Sequence, residues 1–591
     1  MSLTIFGGLR ASIRKHLFEP RRRMSLSRSR DPSQERPPQK PPSILVYSGN
    51  SSSLYRKIRD CLSFCLPADI YTVFNLSNDA IRSAAWIDPS SYCLLIADTV
   101  GLDDPAWHRL HQFFNQSGKI IFICQNRLLA SFTNADSTKK QEGLLKLAFG
   151  DRSNFFGKEF ETFLKKALKS LAKHNKVHET YHSKDIVDGA QFTVLLSKMP
   201  ETPLLLYMEN SVHRASAVFS DATTDEMLSP ESSVVRDALS RIGVRVMETQ
   251  NGPPPLTQGY LQMSPTKDWD QFESRILLGE AVGTSPRIFL RKSDKLSDLP
   301  IPEATSELLP IEITPSGSLF PSFDASKYFE ILQAKTLGRC LIFVPVCTTT
   351  MDVCSSISSS WAGFEGVIVI ARQQTHGRGR GGNEFISLPG TAMFTMNCTV
   401  RQNSALAERP SLIQHIMATA VAQAVSKLSG VEEFPFRIKW PNDFYFSRSH
   451  KVGGLLVTAK HRDNCIEFII GVGVNVENSK PTVCLNDMLP EESTTEFSVE
   501  SVIAETVTQF ENLLFEFEMQ GFEVFKERYE SFWLHNREEV TLEDGDKVVI
   551  RGIDKNGYLS VKSRRTAKEF TIGDDGNTFD MMRGLIRHKL V

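Results

Sequence analysis

The sequence predicts a protein of several domains: an α/β region first, an α+β domain in the second half and a small all-β barrel at the end. Three observations predict this arrangement. Strand-like and helix-like patterns alternate from Ser43, strand alternation and long helical stripes follow Asp324, and short strands separated by Asp-Gly and Asn-Gly turns fill residues 538–591. The chain has 591 residues, enough for about four domains, so a single small binding module is excluded.

The first part of the chain is predicted to be a basic disordered tail followed by an α/β domain. Residues 1–41 hold ten Lys or Arg and three acids, a composition that suits a mitochondrial transit peptide and a plain disordered tail equally well. In residues 43–175 the apolar runs ILVYSG and KIIFIC alternate with helical patterns, which predicts a parallel sheet of flavodoxin-like or amidotransferase-like layout. Cys124 has no flanking glycine for a nucleophile elbow, so this domain is interpreted as non-catalytic.

The middle of the chain carries no motif with recognisable chemistry. Residues 176–291 continue as a mixed α/β pattern and are interpreted as a regulatory region. Five prolines between Pro300 and Pro321 then predict an extended linker over residues 292–323.

Residues 324–535 are predicted to form the α+β domain. The run TAMFTMNCTV alternates apolar and mostly polar residues without a break, which is typical of a strand with one buried face. Apolar residues repeat at helical spacing from Leu412 to Leu428 and from Val499 to Phe517, and Gly430 supplies a stop for the first helix. The turns of residues 536–591 predict the short strands of a small barrel.

The composition excludes several functional classes. The chain has 68 basic and 69 acidic residues and a net charge of −1, so no overall field would attract DNA or an anionic membrane. No run approaches the ~18 apolar residues that a membrane span needs. The ten cysteines include no CxxC pair and are too sparse for a disulfide framework, which favours a reducing compartment.

A glycine-rich basic loop after the strand GVIVIA is the first chemical motif. Its glycines leave backbone N–H groups open to a ligand, and they are Gly377, Gly379, Gly381 and Gly382. Arg378 and Arg380 offer guanidinium groups that suit carboxylate or phosphate. Taken alone, the loop fits an anion site and a solvated RNA-binding loop equally well. A strand rather than a helix follows it, which argues against a dinucleotide-binding turn.

Three further segments place polar groups at strands. IKWPNDFYF puts Asn442 and Asp443 after a proline, where they can meet a substrate or simply form a turn. Lys451 opens the apolar run KVGGLLV, where a lysine suits a charge partner, although edge strands often carry lysines. IIGVGVNVEN is a buried strand with Asn475, whose amide also suits a structural role across strands.

In this order and spacing, GRGRGGN, KWPND, KVGGLL and GVGVNVEN resemble the catalytic domain of biotin–protein ligases. The segments DASKYFEILQAKTLG and DGNTFDMMRGLI are similar to the eukaryotic holocarboxylase synthetase type. The resemblance covers residues 325–591 and implies a catalytic fold related to class II aminoacyl-tRNA synthetases, followed by an SH3-like barrel. It also implies an ATP-dependent enzyme that forms biotinyl-5′-AMP and transfers biotin to a lysine of carboxylase biotin-carrier domains.

The resemblance assigns roles to individual residues. The ring end of biotin would contact Thr349, Thr350, Met351 and Gln374, and its carboxylate end Gly377, Arg378, Gly379, Arg380 and Lys451. ATP would be bound by Arg380, Phe385, Lys439, Asn442, Lys451 and Asn475, with Phe385 standing where some family members have tryptophan. Catalysis would depend on Lys451, Arg378, Arg380 and Asp443. Asp443 would hold Mg²⁺ or orient the carrier lysine, and both roles stay open.

Two rival functions and a set of partners complete the expectations. A lipoate–protein ligase shares the implied fold and the adenylation step, but its ring pocket is apolar, whereas Thr349, Thr350 and Gln374 offer polar contacts. A non-catalytic scaffold or RNA-binding protein would keep the basic loop alone. The expected partners are biotin-carrier domains, with no DNA and no membrane, for a monomer or homodimer in the cytoplasm and, if the tail is a transit peptide, in mitochondria.

Overall fold

The computed structural model describes residues 42–123, 181–292 and 300–588, apart from short gaps. The gaps are 68–69, 83–85, 88–89, 99–100, 188–189, 198–204, 211–214, 221–227, 229–233, 248–253, 265–275, 277, 362–364, 381–384, 463, 479–482, 543, 575–576 and 581–584. The predicted tail of residues 1–41, Cys124 and the domain boundary predicted after residue 175 lie outside the described residues.

The helices of the described part begin mostly at polar caps. They are α1 Ser52–Cys65, α2 Asn78–Arg82, α3 Asp104–Asn115, α4 Val234–Arg241, α5 Ala325–Ile331, α6 Thr350–Ser360, α7 Leu412–Ser429, α8 Val499–Gln520 and α9 Phe522–Phe532. Ser498, for example, accepts the N–H of Ser501 in the first turn of α8. Both helices predicted in the second half are confirmed, and the first ends at Gly430 in the left-handed conformation.

An eight-stranded sheet forms the N-terminal part. Its strands are β1 Ser43–Tyr47, β2 Thr72–Asn75, β3 Ser91–Ile96, β4 Lys119–Ile123, β5 Tyr181–Val187, β6 Ala190–Ser197, β7 Leu205–Asn210 and β8 Ala215–Ser220. The order is β2-β1-β3-β4-β8-β7-β6-β5, parallel from β2 to β8 and antiparallel beyond. The strands of the predicted regulatory region therefore extend the sheet of the preceding domain, and the flavodoxin-like layout stays a prediction.

An eleven-stranded mixed sheet forms the second half of the molecule. Its strands are β9 Gly259–Met263, β10 Ala281–Val282, β11 Arg287–Lys292, β12 Leu308–Ile313, β13 Cys340–Cys347, β14 Val367–Gln374, β15 Thr391–Arg401, β16 Phe436–Lys439, β17 Asp443–Phe446, β18 His450–Arg462 and β19 Cys465–Asn475. The order is β10-β11-β12-β9-β13-β14-β15-β19-β18-β17-β16. Helices α7 and α8 pack with their buried apolar residues against one face.

The extended linker predicted over residues 292–323 is wrong where β12 lies. This strand pairs with β11 on one side and β9 on the other, and its Leu309, Ile311 and Ile313 are buried. The run LLPIEI alternates apolar side chains like any half-buried strand, and Pro310 only removes one N–H from the ladder. The large sheet therefore begins before the boundary predicted at residue 324.

Strand β15 is buried on both faces, whereas the sequence predicted one buried face. Ala392, Phe394 and Met396 point into the core beside α7 and α8. On the other face the Thr395 hydroxyl lies 2.7 Å from the hydroxyl of Thr350 at the start of α6. The polar side chains of the alternation are buried because α6 covers them, so their hydroxyl and amide groups must find partners inside the protein.

A six-stranded sheet completes the chain. Its strands are β20 Glu539–Leu542, β21 Lys547–Ile553, β22 Leu559–Ser563, β23 Glu569–Ile572, β24 Asn577–Asp580 and β25 Leu585–His588, in the order β23-β22-β21-β20-β25-β24. Gly557, in the turn between β21 and β22, accepts a hydrogen bond from the Trp440 indole at 3.0 Å, which docks this sheet on the larger one. The SH3-like barrel stays a prediction. In the described part of the chain no helix has the length and apolar character of a membrane span.

Candidate active site

Five strands of the large sheet bring separate sequence motifs into one row. Directly paired residues run across the sheet from β14 to β17, and they are Ala371, Met393, Gly473, Gly454 and Asp443. Paired residues point to the same face, and neighbouring strands lie about 4.8 Å apart. The row therefore connects the strand before the glycine-rich loop with the KVGG and KWPND motifs on one face.

The middle of this row has no side chains. A patch of three glycines, which we call the glycine floor, lies here and consists of Gly454, Gly473 and Gly471. Gly471 lies two residues before Gly473 on β19. A Cβ at Gly473 would lie 2.3 Å from the ring of Phe385, and one at Gly471 would lie 2.6 Å from the sulfur of Met351. Both side chains lie directly on the glycine floor, because only glycine leaves room for them there.

Thr350 and Gln374 form a hydrogen-bonded network beside the glycine floor. The Oε1 atom of Gln374 accepts the backbone N–H of Thr350 at 2.7 Å and its hydroxyl at 3.1 Å. The Nε2 atom of Gln374 donates to Ser387 Oγ at 2.9 Å, and the hydroxyls of Thr350 and Thr395 lie 2.7 Å apart. The Gln374 amide is thus fixed in one orientation, with known donor and acceptor ends.

Helix α6 begins at this network. Thr349 caps the helix, and its Oγ1 accepts the backbone N–H of Met351 at 3.3 Å. Thr349 and Thr350 are 1% and 3% exposed, so their polar atoms are held inside the protein. The start of α6 therefore holds two buried hydroxyls beside this network and places the thioether of Met351 on the glycine floor.

The basic side chains of the glycine-rich loop each pair with a different part of the chain. Arg378 makes two hydrogen bonds to the carboxylate of Asp352 on α6, at 2.8 and 2.7 Å. Burial raises the pKa of Asp352 above its ordinary value, although Arg378 opposes this shift. Arg380 donates to the backbone carbonyl of Asp574 in the C-terminal part, whose carboxylate accepts from Gln414 at 2.8 Å.

The loop closes on itself through Gly377. Its carbonyl accepts the N–H of Phe385 at 3.0 Å, and a Cβ at Gly377 would lie 2.4 Å from the carbonyl oxygen of Phe385. Gly379 lies between the two arginines of the loop, while residues 381–384 lie outside the described residues. Glycine at 377 is therefore required for the close approach that places the Phe385 ring on the glycine floor.

Asp443 lies between two lysines at the far end of the row. Lys451 donates to its Oδ1 at 2.6 Å, and the Nζ of Lys439 lies 3.6 Å from its Oδ2. Burial raises the pKa of the Asp443 carboxyl, but the two ammonium groups more than offset this and hold the pKa below its usual value. The carboxylate is 21% exposed and Lys451 is 50% exposed, so the Lys451 ammonium can reach a ligand while staying paired.

The two asparagines predicted to meet ATP differ in their surroundings. Asn442 is buried, and its amide donates to the carbonyl of Leu455 at 2.7 Å, which fixes the turn before Asp443. Asn475, at the end of β19, donates to the carbonyl of Val483 at 3.2 Å and accepts from Asn478 at 3.0 Å. Asn442 therefore supports the turn that presents Asp443, while Asn475 lies at the sheet end near the glycine floor.

The donors around Asp443 do not fit a magnesium site. Both of its oxygens face lysine ammonium groups. Within the described part of the chain, no group of three or more His, Cys, Asp or Glu is arranged to hold a metal ion. Mg²⁺ prefers oxygen ligands and is repelled by adjacent ammonium groups, so orienting amines is the role that this arrangement suits.

The structure brings some predicted residues together and separates others. Thr350 is hydrogen-bonded to Gln374, and the side chains of Met351 and Phe385 both lie on the glycine floor. Lys451 and Lys439 both face the carboxylate of Asp443. Arg378 and Arg380 instead pair with residues outside this row. Sequence reasoning missed the glycine floor, Ser387 and Thr395. The glycines at alternate positions in GVGV were the available signal, because residues two apart in a strand share a face.

The chain is similar in sequence to biotin–protein ligases. Residues 343–475 match the Biotin/lipoate A/B protein ligase family. A biotin–protein ligase of Homo sapiens is 28% identical over 93% of this chain and 78% of its own length. Biotin–protein ligase 1, chloroplastic, and Biotin–protein ligase 2 of Arabidopsis thaliana are 32% and 31% identical, each over 46% of this chain and over 74% and 83% of their own lengths.

A solved structure aligns with part of the chain. It is a biotin protein ligase from Aquifex aeolicus in complex with biotin and ATP, and it is 23% identical. The alignment covers 39% of this chain and 98% of that protein, with a TM-score of 0.31. The assignment to a family rests on the sequence relatives.

Proposed function

The chain belongs to the biotin–protein ligase family, and from that premise we propose which of its residues carry the reaction. It is an ATP-dependent enzyme that attaches biotin to protein, which implies biotin-dependent carboxylases as its protein substrates. Biotin and ATP are its small substrates. One observation carries the assignment of residues: a single row of strands joins the Gln374 network, the glycine floor and the Asp443–Lys451 pair.

The ring end of biotin lies, in this proposal, against α6 and Gln374. The ureido group has fixed donors and acceptors, and the oriented Gln374 amide with the hydroxyls of Thr349 and Thr350 can match them. The thioether of Met351 offers an apolar contact to the sulfur-containing ring. The polar network supports biotin over the lipoyl group of the rival ligases, whose dithiolane ring needs no hydrogen bonds.

The carboxylate end of biotin then lies over the glycine floor toward Lys451. Gly454 has no Cβ that could block a ligand, while Met351 and Phe385, which cover Gly471 and Gly473, supply the apolar surface that the ligand meets there. Arg378, Gly379 and Arg380 cover this end from the loop. Lys439, Asn442, Phe385 and Asn475 are proposed to receive ATP, with the ring of Phe385 supplying a stacking face.

The first chemical step joins the two anionic substrates. A carboxylate oxygen of biotin attacks the α-phosphorus of ATP, and the bond from that phosphorus to pyrophosphate breaks. Negative charge grows on the α-phosphate oxygens, and the ammonium of Lys451 neutralises it. Asp443 holds that ammonium at 2.6 Å and so orients it before the substrates meet. Mg²⁺ enters this proposal only as the counter-ion of the ATP substrate.

The second step transfers biotin to protein. The neutral amine of a carrier lysine attacks the acyl carbon of biotinyl-5′-AMP, the bond to AMP breaks, AMP leaves with the electron pair, and the proton of the amine passes to water. Arg378 and Arg380 retain the mixed anhydride until that amine arrives, because both guanidinium groups favour an anionic phosphate. The chain's contribution to this step is retention and exclusion of water.

The test uses the purified full chain with biotin, MgATP and an apo biotin-carrier domain. We expect biotin-dependent exchange of labelled pyrophosphate into ATP, and a biotinylated carrier that streptavidin detects. A carrier whose acceptor lysine is replaced by arginine is the matched control and should stay unlabelled. Exchange that requires lipoate instead of biotin would support the rival ligase, and no exchange with either acid would reject catalysis.

A further inference from the structure

The segment Trp533–Glu538, between α9 and β20, lies beside the strands that carry Asp443 and Lys451. The N–H of Leu534 donates to the carbonyl of Ile438 at 2.9 Å, and Trp533 forms a parallel bridge with Ile438. The segment thus extends the edge of the large sheet next to β16. We call it the bracing segment, defined as residues 533–538.

His535 links the bracing segment to Trp440, the second residue of the KWPND motif. Its side chain is 1% exposed, and its Nε2 accepts the backbone N–H of Trp440 at 3.1 Å. Its Nδ1 lies 3.1 Å from Oε2 of Glu538. A nitrogen that accepts carries no proton, so the proton lies on Nδ1 and points to Glu538. Both ring nitrogens are engaged, which leaves His535 no free position for proton transfer.

Glu538 continues the link to the other end of β17. Its Oε1 accepts from Arg448 at 2.6 Å, and Arg448 also donates to the carbonyl of Leu534 at 3.0 Å. Arg448 lies in the turn between β17 and β18, three residues before Lys451. The bracing segment is therefore hydrogen-bonded to residues just before and just after β17, the strand that begins at Asp443.

The position of Trp440 depends on two bonds from outside its own hairpin. Its backbone N–H is bonded to His535, and its indole N–H donates to Gly557 in the C-terminal sheet at 3.0 Å. Trp440 is 1% exposed, so a lost partner would leave a polar group buried and unsatisfied. Removing the His535 acceptor should therefore move the turn and, with it, Asp443.

We propose that His535, together with Glu538 and Arg448, is a positioning residue that fixes the hairpin of β17 and β18 so that Asp443 and Lys451 face the α-phosphate. This inference rests on the proposed function of Lys451. The biotin ring network lies on other strands and shares no hydrogen bond with the bracing segment among the described residues. Loss of His535 should thus slow adenylation far more than it weakens biotin binding.

The experiment compares His535→Leu and His535→Gln in the full chain by biotin-dependent pyrophosphate exchange. We expect His535→Leu to lower kcat at least about tenfold while the KM for biotin changes less than about threefold. The amide oxygen of His535→Gln can accept at the place of Nε2, so this variant should recover most of kcat. His461→Leu, at an exposed residue near the far end of β18, is the matched control and should match the parent.

The outcomes separate this inference from the proposed function. A folded His535→Leu with kcat within about twofold of the parent, beside an inactive Lys451→Ala, overturns the inference alone. A fully active Lys451→Ala overturns the proposed role of the lysine. If His535→Leu does not fold, the same assay is run on Glu538→Gln. A lower kcat with an unchanged KM for biotin supports the positioning role of the bracing segment, and an unchanged kcat overturns it.

Discussion

The glycine-rich loop and the hairpin of β17 and β18 both bring cations to the proposed site, but the protein holds them differently. Arg378 and Arg380 reach to Asp352 on α6 and Asp574 in the C-terminal part. Lys451 instead shares a mostly buried carboxylate with Lys439 inside the sheet. The loop depends on distant elements, whereas the hairpin depends on its own strands and the bracing segment.

This difference predicts how the two regions respond to change. Arg378 is 56% exposed and Asp352 30% exposed, and an ion pair of that kind contributes about 0–1 kcal/mol. Removing one partner of a buried pair lowers the free energy of unfolding by more than this, because the remaining charge loses its counter-ion and is not rehydrated by water. Changes in the hairpin should therefore disable the chemistry, while changes in the loop should alter retention of ligand.

The largest effect is expected from Lys451→Ala. Losing the ammonium that neutralises the α-phosphate should lower the rate of biotin-dependent pyrophosphate exchange by about 10²–10³-fold. Lys439 still faces the Asp443 carboxylate after the half-exposed Lys451 side chain is removed, so the melting temperature should stay within a few degrees. The measurement is steady-state exchange, with circular dichroism to follow unfolding.

Lys460→Ala is the matched control, because Lys460 lies on the same strand with an exposed side chain bonded only to Ser355 among the described contacts. It should keep the exchange rate of the parent. Equal losses in both variants would mean that the hairpin responds to any lost lysine, and the contrast with the loop would disappear.

Asp443→Asn is expected to have the next largest effect. The amide leaves Lys439 and Lys451 facing each other without a negative charge between them, so exchange should fall about 10–100-fold through misplaced Lys451. The measurement is exchange at saturating ATP. Recovery of activity in Asp443→Glu would support orientation of Lys451 through the negative charge. An Asp443→Asn variant that exchanges at the rate of the parent would show that the carboxylate has no part in the reaction.

The same substitution makes a prediction about pH. Because burial is more than offset by the two lysines, the folded pKa of Asp443 lies below its unfolded value. The stability from this group is then fully present above the unfolded pKa of about 3.9 and is lost as the pH falls through the folded value. Urea unfolding between pH 6 and 3 should show a shallower loss of stability for Asp443→Asn than for the parent, and parallel curves would contradict the pairing.

The sequence predicted much of the hairpin. Lys451 at the head of an apolar strand indicated a charge partner, and the structure supplies Asp443. The helices ending at Gly430 and beginning at Val499 followed from apolar spacing and caps alone. Such features are local, since each depends on residues within one or two turns or strands.

The rest depends on contacts between segments far apart in the sequence. His535 accepts a hydrogen bond from Trp440, 95 positions away, and donates one to Glu538, 3 positions away, and no periodicity links it to Trp440. The polar face of β15 is buried because α6 covers it, and the alternation within one strand cannot predict that a distant helix packs there. The prolines of the predicted linker outweighed the alternation that makes β12 a strand, so a stronger local signal concealed a weaker one.

In the loop, Arg380→Gly should change retention more than rate. Without the guanidinium, biotinyl-5′-AMP should escape before transfer, and the fraction of biotin found on bystander protein should rise about tenfold. The assay mixes the enzyme with an apo carrier and serum albumin and compares their labelling. Arg401→Gly, an exposed arginine at the end of β15, is the control. Labelling confined to the carrier would show that Arg380 does not retain the intermediate.

The smallest effect is expected from Asp352→Asn, which separates Arg378 from α6. The exposed pair contributes about 0–1 kcal/mol, so unfolding should change little and the KM for biotin should shift by less than about threefold. The direction is informative: Arg378 released from a competing carboxylate should bind the biotin carboxylate more tightly, which lowers KM. The measurement is the pyrophosphate exchange rate as a function of biotin concentration. A KM raised tenfold or more would instead mean that Asp352 fixes the position of the glycine-rich loop, and the loop would then be held as rigidly as the hairpin.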